Sequence, residues 1–169
     1  MTQIFHSVIV PYTPKQLFAL VNNVQAYPEF VPCCVKSDVH ASQEENQMVA
    51  TLTLEYWLPR MVLFGDRWQK GGLSFTTRNS WRSSERIDLE LVKMATSTED
   101  IQALIGCWTF EKISDNETKV SINIDITLSS TALSIALYAA SNYVAQLLVN
   151  AFTQRAKAIY DSQSVPALI

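Results

Sequence analysis

The sequence has few of the residues on which phosphate binding, metal binding and most enzymatic catalysis depend. Only four of its 169 residues are glycine and only two, His6 and His40, are histidine. The glycines form no glycine-rich phosphate loop. Neither histidine has a second metal ligand at a typical spacing, and there is no Gly-x-Ser-x-Gly motif or paired cysteine motif. We therefore predict no catalytic residue, no metal site and no cofactor.

Charge is also scarce. Charged residues make up 17% of the chain and the net charge is −3, which gives no general attraction to nucleic acid, so we expect no DNA partner. The charge is unevenly distributed, because residues 60–86 contain six basic and two acidic side chains and are about +4, whereas the remainder is about −7.

The chain has three cysteines, an odd number. Cys33 and Cys34 are adjacent, which is poor geometry for a mutual disulfide. The first residues, MTQIFH, lack the basic and apolar regions of a signal peptide. We expect free thiols and a cytoplasmic location, with the inner membrane as a candidate peripheral contact.

Hydrophobic residues are plentiful, at 48%, and their spacing predicts a strand–helix order. Residues 3–10 are rich in β-branched residues and predict a strand. Thr13, Pro14 and Gln16 predict the start of a helix that ends near residue 22. A short helical turn at 24–30 follows, and six further strands are predicted at 34–42, 48–56, 75–81, 85–92, 104–113 and 117–128.

A helix is predicted from the serines and threonine at 129–131 to about residue 160. Its apolar seam, spaced four and three residues apart, is Leu133, Leu137, Ala140, Val144, Leu147 and Ala151. No charge lies between Asp125 and Arg155, which raises the alternative of a membrane span. Four amide side chains at intervals of four, residues 142 to 154, favour an amphipathic helix instead. The order of elements predicts one α+β domain, residues 1–161, with a loose tail at 162–169.

Aromatic residues near the strand ends, including Tyr27, Phe30, Trp108 and Phe110, could fill a core or line a cavity under the long helix. Residues 56–72 mix Trp57, Phe64 and Trp68 with basic residues between two strands. This mixture suits a hairpin extension packed on the domain, a cover for a cavity, a partner contact or a membrane interface.

Four segments resemble one known family. They are residues 27–34 (YPEFVPCC), 75–79 (FTTRN), 104–110 (LIGCWTF) and 151–160 (AFTQRAKAIY). Their order and spacing are similar to the coenzyme Q-binding START-domain family, which includes the ribosome association toxin RatA and is grouped with polyketide cyclase/dehydrase-like proteins. The resemblance spans residues 3–160. It implies a helix-grip fold, in which a curved antiparallel sheet of about seven strands wraps around a long C-terminal helix.

The chain departs from that family pattern in two places. Residues 56–72 are about a dozen longer than the usual link into the FTTRN strand, and residues 93–103 replace a shorter Asp-Gly-Pro-Phe turn. Both changes lie where we expect the mouth of the cavity, so they bear on which ligand it takes.

The resemblance implies a cavity that binds ubiquinone or a similar lipid and supports respiratory quinone function. The alternatives are a RatA-like toxin that binds a ribosomal subunit and blocks subunit association, and a cyclase-like enzyme on the same scaffold. The predicted ligand-binding residues are Tyr27, Phe30, Leu54, Trp108, Phe110, Leu137, Val144 and Leu148. The residues predicted at the cavity mouth or in contact with a partner are Trp57, Phe64, Trp68 and Arg78.

Overall fold

The first helix begins where the sequence predicts. The computed structural model describes residues 1–42, 44–59, 68–93 and 100–161, and at 56–59 and 68–71 it describes the backbone. Helix α1 spans Pro14–Asn22. The Thr13 hydroxyl accepts a hydrogen bond from the Gln16 backbone N–H at 3.3 Å, and the Gln16 side chain accepts one from the Thr13 N–H at 3.0 Å. This capping box confirms the predicted helix start. A 3₁₀ helix, Val24–Glu29, follows.

Seven strands form one curved antiparallel sheet in the order β1-β7-β6-β5-β4-β3-β2. The first and the last strand of the chain are therefore neighbours. The strands are β1 Thr2–Val10, β2 Cys34–His40, β3 Gln47–Pro59, β4 Trp68–Ser83, β5 Arg86–Val92, β6 Ile101–Ser114 and β7 Glu117–Leu128.

Three strands are longer than the side-chain pattern predicts. β3 and β4 remain paired out to Pro59 opposite Trp68, so the ends of segment 56–72 extend a hairpin. β6 begins at Ile101, opposite Leu128, and not at residue 104. Backbone hydrogen bonds extend these ladders whatever the side chains are, whereas the alternation that marks a strand in sequence is lost around the glycines of β4.

Helix α2 spans Thr131–Ala156 and continues into a π-helical turn, Lys157–Asp161. Among the serines and threonine that could cap it, Ser130 is the N-cap and accepts a hydrogen bond from the Leu133 N–H at 3.3 Å. The helix packs against β1 and β7. The four amide side chains of the predicted polar stripe are exposed, as expected. The predicted loose tail, 162–169, lies outside the described residues.

The main cluster of buried residues includes the C-terminal half of α2. Leu17, Leu20 and Val21 of α1 are buried there together with Val149 and Phe152 of α2. Each buried side chain of this kind contributes roughly 1.5–3 kcal/mol to folding. The fully buried residues of α2 begin at Ala145, so its first half contributes none to this core. The first half of the helix instead covers a cavity.

Candidate functional site

A cavity of about 410 Å³ lies between the inner face of the sheet and α2. Its volume is within the range of ~300–1,000 Å³ that is usual for small-molecule sites. The roof is formed by the predicted apolar seam of α2. Five of the six seam residues line the cavity, namely Leu133, Leu137, Ala140, Val144 and Leu147. The seam faces the cavity because residues three and four apart lie on one side of a helix.

The floor consists of inward-facing residues from the sheet. On β3 and β4, Leu52 pairs with Phe75 and Leu54 with Leu73, and all four line the cavity. β7 contributes alternate residues, Ile122, Ile124, Ile126 and Leu128. Alternation along each strand sends these side chains to one face. Almost the whole lining is therefore hydrocarbon, which favours an apolar ligand over a charged one.

One end of the cavity is closed by aromatic rings. Phe152 of α2 lies in edge contact with Trp108 of β6 at 4.9 Å, with Tyr27 at 5.3 Å and with Phe30 at 5.1 Å between ring centroids. The Arg155 guanidinium lies 5.2 Å from the centre of the Phe30 ring and forms a 2.6 Å ion pair with Glu29. These contacts hold the 3₁₀ helix against the packed half of α2 at this end of the cavity.

Polar groups in the lining are few, and most of them are satisfied within the protein. The Tyr27 hydroxyl donates to the Val21 carbonyl, and the Cys34 thiol donates to the Lys36 carbonyl at 3.6 Å. The Thr77 hydroxyl donates to the Asn79 side-chain oxygen at 3.1 Å. Burial raises the pKa of both the Tyr27 phenol and the Cys34 thiol. Both groups are therefore neutral at physiological pH and supply no charge to the cavity.

Residues 10–153 match the profile of the family described as polyketide cyclase / dehydrase and lipid transport. The chain belongs to this family. The match covers every cavity-forming element from the end of β1 to the packed half of α2.

The chain is also similar to individual proteins that carry two kinds of name. It is 31% identical over 96% of its length to the ribosome association toxin RatA of Escherichia coli strain K12, covering 92% of that protein. It is 33% identical to the RatA of Vibrio cholerae O395, covering 95% of this chain and 99% of that one. It is also 26% identical to the mitochondrial coenzyme Q-binding protein coq10 of Schizosaccharomyces pombe, over 89% of this chain and 84% of that one.

Solved structures confirm the predicted helix-grip fold. A START superfamily protein from Mycobacterium smegmatis aligns with a TM-score of 0.72, at 13% identity over 94% of this chain and 99% of that one. A STAR-related lipid transfer protein from Xanthomonas axonopodis aligns with a TM-score of 0.73, at 10% identity over 92% of this chain and 85% of that one. At these identities the likeness establishes the fold alone.

The structure brings most of the predicted ligand-binding residues of this family member to one place. The residues that line the cavity are Tyr27, Leu54, Trp108, Leu137, Val144 and Leu148. Phe30 does not line the cavity, because it packs behind Tyr27 against Phe152. Phe110 does not line it either. Its ring is fully buried against Phe18 of α1, at 6.5 Å between centroids, so it belongs to the core.

Arg78 is not at the cavity mouth. It lies on β4 between Thr77 and Asn79, which both line the cavity, so its side chain is on the outer face of the sheet. There its Nη1 donates to the Glu90 carboxylate at 2.7 Å. This is the structural ion pair that an exposed strand favours, and contact with a partner stays a prediction. Trp57 and Trp68 lie on the paired ends of β3 and β4, and Phe64 lies outside the described residues.

Among the polar residues of the lining, sequence reasoning missed Thr77 and Asn79. Their position could have been predicted, because both lie an even number of residues from Phe75 on the same strand and so face the same side of the sheet. They were overlooked because polar residues on a strand are ordinarily assigned to the solvent face.

Two further sequence expectations concern metals and membranes. In the residues that the structure describes, no group of three or more His, Cys, Asp or Glu side chains could hold a metal ion.

Across residues 131–161, α2 and its π-helical turn are long and apolar enough to cross a bilayer. Core helices of soluble proteins meet the same two criteria but are mostly buried, whereas most of this helix is not; its apolar seam lines the cavity.

Proposed function

We propose that the protein binds a hydrophobic molecule of the ubiquinone class in the cavity and so supports respiratory quinone function. The observation that carries this proposal is the cavity itself, about 410 Å³ and lined almost wholly by apolar side chains. A benzoquinone ring with a few isoprene units suits such a space, whereas a long polyprenyl tail would extend beyond it. Similarity to a protein named as coenzyme Q-binding supports the choice of a quinone.

Binding without catalysis is part of the proposal. The two ionisable cavity groups with shifted pKa values, Tyr27 and Cys34, are held in their neutral forms and engaged with backbone carbonyls. Neither is poised as a general base or a nucleophile. A cyclase-like activity is the weaker alternative. It is supported by the fold it shares with the ZhuI aromatase/cyclase of Streptomyces sp. R1128, at 13% identity and a TM-score of 0.66.

Mass spectrometry of organic extracts from freshly purified protein tests this proposal. We expect a quinone to co-purify at a substantial fraction of one molecule per chain and to be depleted in extracts of a Val144→Asp variant. Val144 faces the cavity, and an unpaired charge there is costly to bury against hydrocarbon. Absence of quinone from the wild-type extract, together with no binding of added short-chain ubiquinone, would contradict it.

Association with a ribosomal subunit is the second candidate function. It is supported by 31–33% identity over nearly the whole chain to proteins named ribosome association toxin. The basic stretch at 60–86 is the segment best suited to phosphates of ribosomal RNA. Co-sedimentation with separated subunits at two salt concentrations tests it. Binding through phosphates would weaken as salt rises, and absence of binding at low salt would eliminate this candidate.

For location, we propose the cytoplasm with peripheral contact at the inner membrane, where a quinone carrier would exchange its ligand. The contact is tested below with a variant of segment 56–72.

A further inference from the structure

Asn79 is a buried polar residue on the floor of an otherwise apolar cavity. The residue is 5% exposed and belongs to the cavity lining. Its oxygen is occupied, since the Thr77 hydroxyl donates to it at 3.1 Å. Among the described residues nothing accepts a hydrogen bond from its amide nitrogen. The nitrogen is not among the fully enclosed unpaired atoms of the described residues, so it keeps accessible surface at the cavity lining and is free to donate to a bound molecule.

The position of Asn79 in the sheet explains how its amide reaches the ligand space. Register places Met48, Asn79, Leu89, Gly106 and Ile124 in one row across β3, β4, β5, β6 and β7. All five therefore share the inner face, and Gly106 contributes no side chain to it. Leu89 and Ile124 of this row line the cavity together with Asn79, so the amide borders the same ligand space as these apolar side chains.

The polar groups around Asn79 offer a ligand an N–H donor, but they include no carboxylate and no other charged group. Thr77 and Asn79 are engaged with each other, while Tyr27 and Cys34 donate to backbone carbonyls away from the ligand space. Trp108, two residues from Gly106 on β6, is the other lining residue with an N–H that has no acceptor among the described residues. A ligand head that only accepts hydrogen bonds fits such a floor.

We propose that the Asn79 amide donates a hydrogen bond to an acceptor oxygen of the ligand head, and that Thr77 is a positioning residue that keeps the amide nitrogen turned toward the ligand. The cavity then selects apolar molecules with a carbonyl oxygen at one end, such as a quinone, over hydrocarbons of the same size. This inference rests on the proposed function and names the group that recognises the head.

The experiment compares two probes by calorimetry. They are a short-chain ubiquinone and an alkylbenzene with the same alkyl chain, which lacks the carbonyls. Asn79→Leu keeps the approximate shape and removes the donor. We expect the variant to bind the quinone about three- to tenfold more weakly, the usual net effect of one hydrogen bond, and the alkylbenzene as tightly as wild type or more tightly. Arg78→Ala, one residue away on the outer face, is the matched control and should bind both probes as wild type does.

Isotope-edited infrared spectra of carbonyl-labelled quinone provide a second measurement that does not depend on small changes in affinity. We expect a carbonyl band shifted to lower frequency in wild-type protein and a return toward the unbonded position in Asn79→Leu. Equal quinone affinity in the two proteins, or an equal loss for both probes, would overturn the assignment. A shift that persists in Asn79→Leu and disappears in Trp108→Phe would assign the bond to the indole and overturn it too. If wild-type protein binds neither probe, the proposed function itself fails.

Discussion

Cys33 and Cys34 show how two identical neighbours acquire different chemistry. Cys33 has a φ of +66°, in the left-handed region that residues other than glycine rarely adopt, and its side chain is exposed at the cavity. Cys34 is the first residue of β2 and is buried. Burial raises the pKa of its thiol, so less of it is thiolate at neutral pH. The thiolate is the reactive form, and the two residues should therefore differ in reactivity.

We predict that a thiol reagent at pH 7.5 modifies Cys33 at least tenfold faster than Cys34. Peptide mapping after timed alkylation measures both rates, and Cys33→Ser provides the control in which only the slower sites remain. The Cys34 reaction should accelerate at higher pH values than the reaction of an ordinary thiol, because its raised pKa means that the thiolate forms only at higher pH. Equal rates at both positions would show that the native fold does not protect Cys34.

Gly106 is required by a close approach of backbones. A Cβ added there would lie 2.4 Å from the Asn123 carbonyl oxygen and 2.8 Å from the Ile124 Cα, so β7 would have to move. We predict that Gly106→Ala lowers the free energy of unfolding by about 1–3 kcal/mol, as overpacking in a core does. Gly72→Ala is the matched control. Its Cβ would meet only the Leu54 carbonyl oxygen, at an ordinary 3.6 Å. Urea denaturation of both variants tests this, and equal stabilities would contradict it.

Helix α2 combines two roles along its length. Its C-terminal half is buried in the core, whereas its N-terminal half covers the cavity and exposes Ile135 and Tyr138, which are 66% and 74% accessible, on the outside. A cover with few buried contacts separates more easily than a packed helix. The part of α2 over the cavity therefore lacks the buried side chains that hold its C-terminal half to the core.

The hairpin of β3 and β4 carries the predicted membrane contact. We expect the triple variant Trp57→Ser/Phe64→Ser/Trp68→Ser to be recovered less with anionic liposomes in flotation than the wild-type protein. Aromatic residues favour the bilayer interface, and each basic residue near an anionic surface contributes about 1 kcal/mol. The control is Phe5→Ser/Ile9→Ser/Ile105→Ser, which removes three exposed apolar side chains from β1 and β6. Equal flotation of both variants and wild type would exclude docking through residues 56–72.

At the scale of the whole molecule, a ligand that binds only the folded cavity must raise its stability. When the concentration of free short-chain ubiquinone is a hundred times its dissociation constant, the free energy of unfolding should rise by about 2.7 kcal/mol. For a chain of this length that corresponds to a Tm increase of about 5–10 °C.

Val144→Asp should lose this increase, because the charge faces the cavity. Asn142→Asp places the same charge on an exposed position of the same helix and should retain it. Differential scanning calorimetry with and without the quinone measures both variants, and a full Tm increase in a folded Val144→Asp protein would contradict the placement of the ligand.

Local sequence patterns determined most of the elements. The capping box of Thr13 and Gln16 predicts the start of α1 within four residues. The alternation of apolar and polar residues in β7 predicts both the strand and its inner face. The spacing of the α2 seam likewise predicted the residues that line the roof. Strand parity could also have placed Asn79 inside and Arg78 outside, since each follows from Phe75.

Tertiary structure alone decided which inward-facing residues meet a ligand. Trp108 and Phe110 lie two residues apart on the same face of β6, so no periodicity separates them. Phe110 is covered by Phe18 of α1 and joins the core, whereas Trp108 lies under α2 and lines the cavity. The difference depends on where two helices, more than a hundred residues apart in the chain, cross the sheet. The sequence determined the face of each residue, and packing determined whether that face meets protein or a ligand space.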